Sequence, residues 1–185
     1  MREPAPAVAT PAGLPGKEEF AQICSIIDQI ADTPFVPSGL RGNRPAILAC
    51  LLTRREHGVP MMEATQEIYM VDGRPCPSAK LMNALVRRAG HSIQGEVASE
   101  KAAVRGRRAD NGDQDEATLT IEMARRVGLL NRPSWQRYPE AMLWARVASW
   151  LCRRLLAALA YTPDDADDPD QQTGPPAPPP PPRRS

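Results

Sequence analysis

The stretch Ile68-Tyr-Met-Val-Asp-Gly-Arg-Pro-Cys-Pro-Ser-Ala-Lys-Leu-Met-Asn-Ala-Leu-Val-Arg-Arg-Ala-Gly-His91 decides the fold. Residues 68–71 form a short apolar run, and Asp72-Gly73 is a hairpin signal before a return strand over 74–76. Ser78 has the hydroxyl needed to cap a following helix, and Gly90 ends it. On that helix Leu81, Met82, Leu85 and Val86 share the core side, while Lys80, Asn83 and Arg87 share another face. A tight turn beside a capped basic helix suits an anion. It offers no evident catalytic group.

Outward from this module the pattern stays local and mixed. Lys17 to Ala31 reads as a helix with Phe20, Ile23, Ile26, Ile27 and Ile30 on one face. Thr33 to Gly42 is an irregular loop. Pro45 opens a second helix that runs through His57 and stops at Gly58. Pro60 to Glu67 is a short third helix. Downstream, 91–98, 101–108 and 115–119 read as strands, with Asn111-Gly112-Asp113 as a turn. Thr120 starts a short helix ending at Gly128. A long helix starts near Pro139 and runs to about Tyr161. The expected fold class is α+β: small antiparallel sheets or hairpins packed with several helices, including one long C-terminal helix.

The chain has 185 residues and a formal net charge of +1. Composition marks the ends: 1–16 is Pro- and Ala-rich and 163–185 is Asp- then Pro-rich, so both are expected to be disordered, around a folding domain at 17–162. Between Arg74 and Arg108 there are 8 basic and 2 acidic residues, while the tail carries Asp164, Asp165, Asp167, Asp168 and Asp170. A basic centre with an acidic tail fits an anion-binding body. Cys24, Cys50, Cys76 and Cys152 have no zinc-finger spacing, which predicts free thiols in a reducing cytoplasm. No signal peptide is read at Met1, and no run reaches transmembrane length without charge, so no membrane partner is expected.

Nucleophilic or phosphate-loop chemistry has no motif here, and His57 and His91 are the two histidines. Apart from Asp113, Asp115 and Glu116 in a loop and the tail aspartates, the carboxylates scatter. That argues against a metal-dependent nuclease; Mg²⁺ at the tail is the one cofactor alternative, and otherwise none is expected. Basic residues do form patterns. Arg74, Lys80 and Arg87 line the opening module. Arg105, Arg107 and Arg108 end a strand. On the long helix Arg146, Trp150 and Arg153 fall on one stripe, with Trp144, Ala148, Leu151 and Leu155 opposite. Such a stripe reads in two ways: as a grip on a phosphate backbone with a stacking ring, or as a buried helix whose arginines pair with acids or whose Trp150 meets another subunit. Trp135 and Tyr138 are read as core packing ahead of Pro139, with Arg137 between them added to the contact set.

Taken together, these residues resemble the RecT family of phage single-strand annealing proteins. The resemblance rests on Gly73-Arg-Pro before Ser78-Ala-Lys-Leu-Met-Asn-Ala-Leu, and on Trp135-x-x-Tyr138-Pro139-x-x-Met142-Leu143-x-Ala145-Arg146-x-x-Ser149 followed by Cys152-Arg153. Val36-Pro-Ser-Gly-Leu-Arg-Gly, Gly58-Val-Pro-Met-Met-Glu-Ala and the short helix of Thr120–Leu129 match in the same order. The match covers about 17–165, with a compressed segment after the long helix. It implies a non-enzymatic, ATP-independent protein that binds single-stranded DNA, assembles into rings or filaments, anneals complementary strands to a duplex during recombination, and works with a partner exonuclease. The alternative is a RecT-like interaction or regulatory module, a decayed prophage copy that no longer anneals. On the annealing reading the DNA contacts are Arg74, Lys80, Arg87, Arg105, Arg107, Arg108, Arg137, Arg146, Trp150 and Arg153.

Overall fold

In the computed structural model, residues 13–71 and 73–155 are described. The fold is α+β, as the sequence pattern predicts. Helix α1 (Lys17–Ile30) lays Ile23 and Ile27 into the core and carries Glu18 and Glu19 in its first turn, where the helix dipole favours them. Helix α2 (Arg44–His57) begins at Asn43, whose side chain accepts from the Ala46 N–H at 3.1 Å. It ends at Gly58, whose φ of 59° is the left-handed conformation that a side chain disfavours. Helix α3 (Met61–Glu67) runs directly into β1 (Ile68–Val71), which pairs antiparallel with β2 (Arg74–Pro77) across a turn at Gly73, where φ is 75°.

Ser78 joins this hairpin to α4 (Ala79–Arg88). Its Oγ accepts from the Leu81 N–H at 3.0 Å and donates to Glu67 Oε2 at 2.5 Å, so the cap also ties α4 back to α3. Leu81, Met82, Leu85 and Val86 are the buried face, as their spacing requires. Strands β3 (Ser92–Ala98), β4 (Lys101–Arg107) and β5 (Gln114–Thr120) form an antiparallel sheet in that order. Thr120 caps α5 (Ile121–Arg126) by accepting from Met123 N–H at 3.2 Å. A 3₁₀ turn at Leu129–Asn131 and helix α6 (Pro133–Arg137) follow; both are absent from the sequence reading.

Helix α7 (Pro139–Leu155) crosses one face of the three-stranded sheet and also packs on α4. Two strand glycines make this approach possible. A Cβ at Gly95 would sit 2.5 Å from the Ala103 carbonyl oxygen and 2.7 Å from the Trp144 ring. A Cβ at Gly106 would sit 2.5 Å from Leu155 Cδ1. Trp144, Leu151 and Leu155 therefore form the sheet-facing side of α7, as the helical spacing predicts. One hydrophobic cluster links α1, α2, α4, the sheet and α7.

The predicted continuation of α7 to Tyr161, the turn residue Asp72 and the tail from Pro163 lie outside the described residues, as does most of the N-terminal segment. Cys50, Cys76 and Cys152 are buried and Cys24 half-buried, all as free thiols. Burial pushes the Cys50 thiol up to about 12, with neighbouring Cys76 adding to the shift. Trp135 is buried as expected, whereas Tyr138 is 61% exposed and does not pack in the core. It follows the last turn of α6, and its ring faces solvent where the chain enters α7.

Candidate nucleic-acid interface

Strand alternation divides the three-stranded sheet into two faces. Ile93, Ala102, Val104, Ala117 and Leu119 point inward beneath α7. The outward set on β4 is Lys101, Ala103, Arg105 and Arg107. Register places Ala98, Glu96, Gln94 and Ser92 of β3 opposite them, and Thr120, Thr118, Glu116 and Gln114 of β5. This face is open, carries three cations against two carboxylates, and otherwise presents small or neutral polar side chains.

The cations on it are held to different degrees. Arg105 Nε donates to Glu116 Oε2 at 2.8 Å, directly across the strands, and the Arg105 side chain remains 80% exposed. An exposed pair of this kind contributes about 0–1 kcal/mol and is readily exchanged for another anion. The Lys101 and Arg107 side chains are exposed and bond to no described residue. Arg87 borders the same face. Its Nη2 donates to the Ile93 carbonyl at 3.2 Å and its Nε to Asn83 Oδ1 at 3.0 Å, one residue from Ser92, whose cross-strand partner is Arg107. The fold therefore gathers Arg87, Arg105 and Arg107, and adds Lys101. Period-two alternation, Lys101-x-Ala103-x-Arg105-x-Arg107, marks Lys101 in the sequence, but the reading there stopped at the arginine cluster.

Arg108 breaks that alternation and has a structural task. Its Nε and Nη2 donate to the Asp110 carboxylate at 2.9 and 2.5 Å, and its Nη1 donates to the Leu155 carbonyl at 2.8 Å. The Arg108 guanidinium holds the Asp110 carboxyl well below the usual carboxylate range. Arg108 thus binds the β4–β5 turn to the last described turn of α7.

The other expected contacts lie apart from this face. Arg74 is exposed on β2, in the hairpin that packs on α2 and α3. Lys80 bridges to Glu67 at 2.6 Å, and that hydrogen bond raises the ammonium pKa above its ordinary value. Arg137 is exposed on α6 beside Tyr138. The stripe on α7 requires the largest correction. Arg146 and Arg153 are each only 8% exposed, Trp150 is half-buried, and the Arg146 guanidinium carbon lies 5.9 Å from the Trp150 ring centroid. Arg146 and Arg153 are thus enclosed, with Arg146 beside the Trp150 ring, and do not form the open grip on a phosphate backbone that the stripe suggested. Helix α7 is covered on both sides, so a stripe opposite the sheet is not an open one. The sheet also separates α7 from Lys101, Arg105 and Arg107, and the three basic groups do not share one surface.

Among the described residues no group of three or more His, Cys, Asp and Glu side chains is placed to hold a metal ion. His91 accepts the Ala109 N–H at Nδ1, 3.1 Å away. His57 lies at the C-terminus of α2, where burial, the main cause, lowers its pKa; Glu56 opposes the shift and Arg88 adds to it. No described helix is long and apolar enough to cross a membrane. No protein-family model matches the chain, and no curated protein matches it.

Proposed function

We propose that this chain binds single-stranded DNA and anneals complementary strands without ATP, as the resemblance to the RecT family implies. One observation carries the reading: the outward face of β3–β4–β5, where Lys101, Arg105 and Arg107 repeat along one strand with Arg87 at its border. Arg105 and Arg107, two residues apart on the strand, stand about 7 Å apart, close to the spacing of backbone phosphates in an extended single strand, and Lys101 stands about 13 Å from Arg105, about twice that spacing. The face has no aromatic ring for a base to stack on, so its cations are the groups that would hold a strand, by its phosphates. A strand held by its phosphates keeps its bases free to test a complement. Contacts this few are weak in one copy, and an assembly of copies along one strand sums them.

The burial of Arg146 and Arg153 favours a second reading. On that reading the module keeps the RecT-like arrangement but has lost the continuous groove, and it serves as an interaction or regulatory domain without annealing.

The test is fluorescence anisotropy with a deoxythymidine oligonucleotide at rising salt, followed by annealing of two complementary oligonucleotides without ATP. Wild type is expected to show a linear fall of log affinity with log salt. Lys101→Ala, Arg105→Ala and Arg107→Ala are each expected to reduce that slope by about 0.7, the share of one phosphate contact. Arg146→Ala is expected instead to lower the melting temperature, by more than about 1 kcal/mol of stability, because it removes buried packing. Absence of binding at low salt overturns the proposal. Binding without annealing selects the second reading.

A further inference from the structure

We propose that the aspartate segment Asp164–Asp170 docks on the outward face of β3–β4–β5 and that a DNA strand must displace it. This rests on the reading of that face as the polyanion surface. Three observations support it. The face is cationic and no described element covers it. The described chain ends at Leu155, whose carbonyl is bonded by Arg108 at the same end of the sheet as Arg107. A cleft of about 370 Å³ on the β4–β5 turn is lined by Ser92, Arg107, Arg108, Asp110 and Asn111, with Arg107 as the cation not already held by Asp110.

Reach and charge both fit. Asp164 follows Leu155 by nine residues, which extended chain spans in roughly 30 Å. Strand β4, with seven residues, is roughly 23 Å long; because Leu155 lies on the α7 side, the segment would first pass round the sheet end by Arg107, with Lys101 the farthest cation. Asp164, Asp165, Asp167, Asp168 and Asp170 fall within seven residues, and no basic residue follows until Arg183. Pro163 and Pro169 bracket four of the five aspartates. A short tether supplies the segment at an effective concentration in the millimolar range, enough for weak ion pairs to compete with DNA.

The experiment compares the full chain with the full chain carrying Asn at the five aspartate positions. Two readouts are taken, one of them free of DNA. In amide NMR spectra without DNA, the Lys101–Arg107 and Gln94 signals are expected to differ between the two chains at low salt and to converge at high salt. In anisotropy, the Asn variant is expected to bind a deoxythymidine oligonucleotide about tenfold more tightly at low salt and equally at high salt. Identical spectra over β3–β5 overturn the docking, whatever DNA does. Tighter DNA binding without a spectral difference also overturns it, because the tail then acts only through long-range charge. If the spectra differ and neither chain binds DNA, the docking stands and the DNA reading of the face falls.

Discussion

At the scale of single residues, Gly95 and Gly106 show how sequence detail sets the approach of helix to sheet. Both lie on the α7 side, but the atoms they meet differ in kind. A Cβ at Gly95 meets a main-chain oxygen at 2.5 Å as well as the Trp144 ring. At Gly106 the nearest atoms are the Leu155 and Leu151 methyls, at 2.5 and 3.2 Å, which rotate more easily than a backbone shifts. Gly95→Ala is therefore expected to cost about 1–3 kcal/mol in denaturant unfolding, and Gly106→Ala less. An equal cost at both sites contradicts this account. His57 yields a second prediction. Its pKa is lowered in the fold from an ordinary 6.5. Well above 6.5 the imidazole is neutral in both states; as pH falls below that value, the unfolded chain takes the proton first, and stability is lost. The melting temperature is expected to drop between about pH 7 and about pH 5.5, with a smaller drop in His57→Gln.

At the scale of elements, α4 is the joint of the molecule. Its N-cap Ser78 reaches α3 through Glu67, and its last-turn Arg88 donates to the His57 and Gly58 carbonyls at the end of α2. Arg87 holds β3 through the Ile93 carbonyl. Ser78→Ala removes the hydroxyl that serves the Leu81 N–H and Glu67 together, and is expected to destabilise the fold by about 1 kcal/mol. Thermal unfolding of the variant measures this; an unchanged midpoint means that water replaces both bonds without cost. Each edge strand of the larger sheet has a main-chain carbonyl taken by a guanidinium, Ile93 by Arg87 and Glu116 by Arg154. Charged side chains at these positions discourage strand addition from another copy.

At the scale of the whole molecule, α7 divides the arginines by environment. Those on the outward sheet face are solvated, and those on the far side of α7 are enclosed. The proposed DNA surface is accordingly one sheet face, and the salt slope of single-strand binding is the property that reads it. The elements themselves were legible along the chain. Ser78, Gly58 and Thr120 set helix ends through local hydrogen bonds and φ preference, and the period of 3.6 or 2 named most inward residues. The helix at Pro133–Arg137 was missed because five residues give too little periodicity, and Tyr138 was misplaced because an aromatic residue carries no sign of which way its loop turns. Local patterns thus determined the fold class, the hairpin and capped helix at 68–90, and the sheet-facing side of α7. Only the tertiary structure decided which arginines meet solvent. Burial of Arg146 and Arg153 depends on what packs over the second face of α7, and contacts distant in sequence leave no periodic trace on the helix they cover.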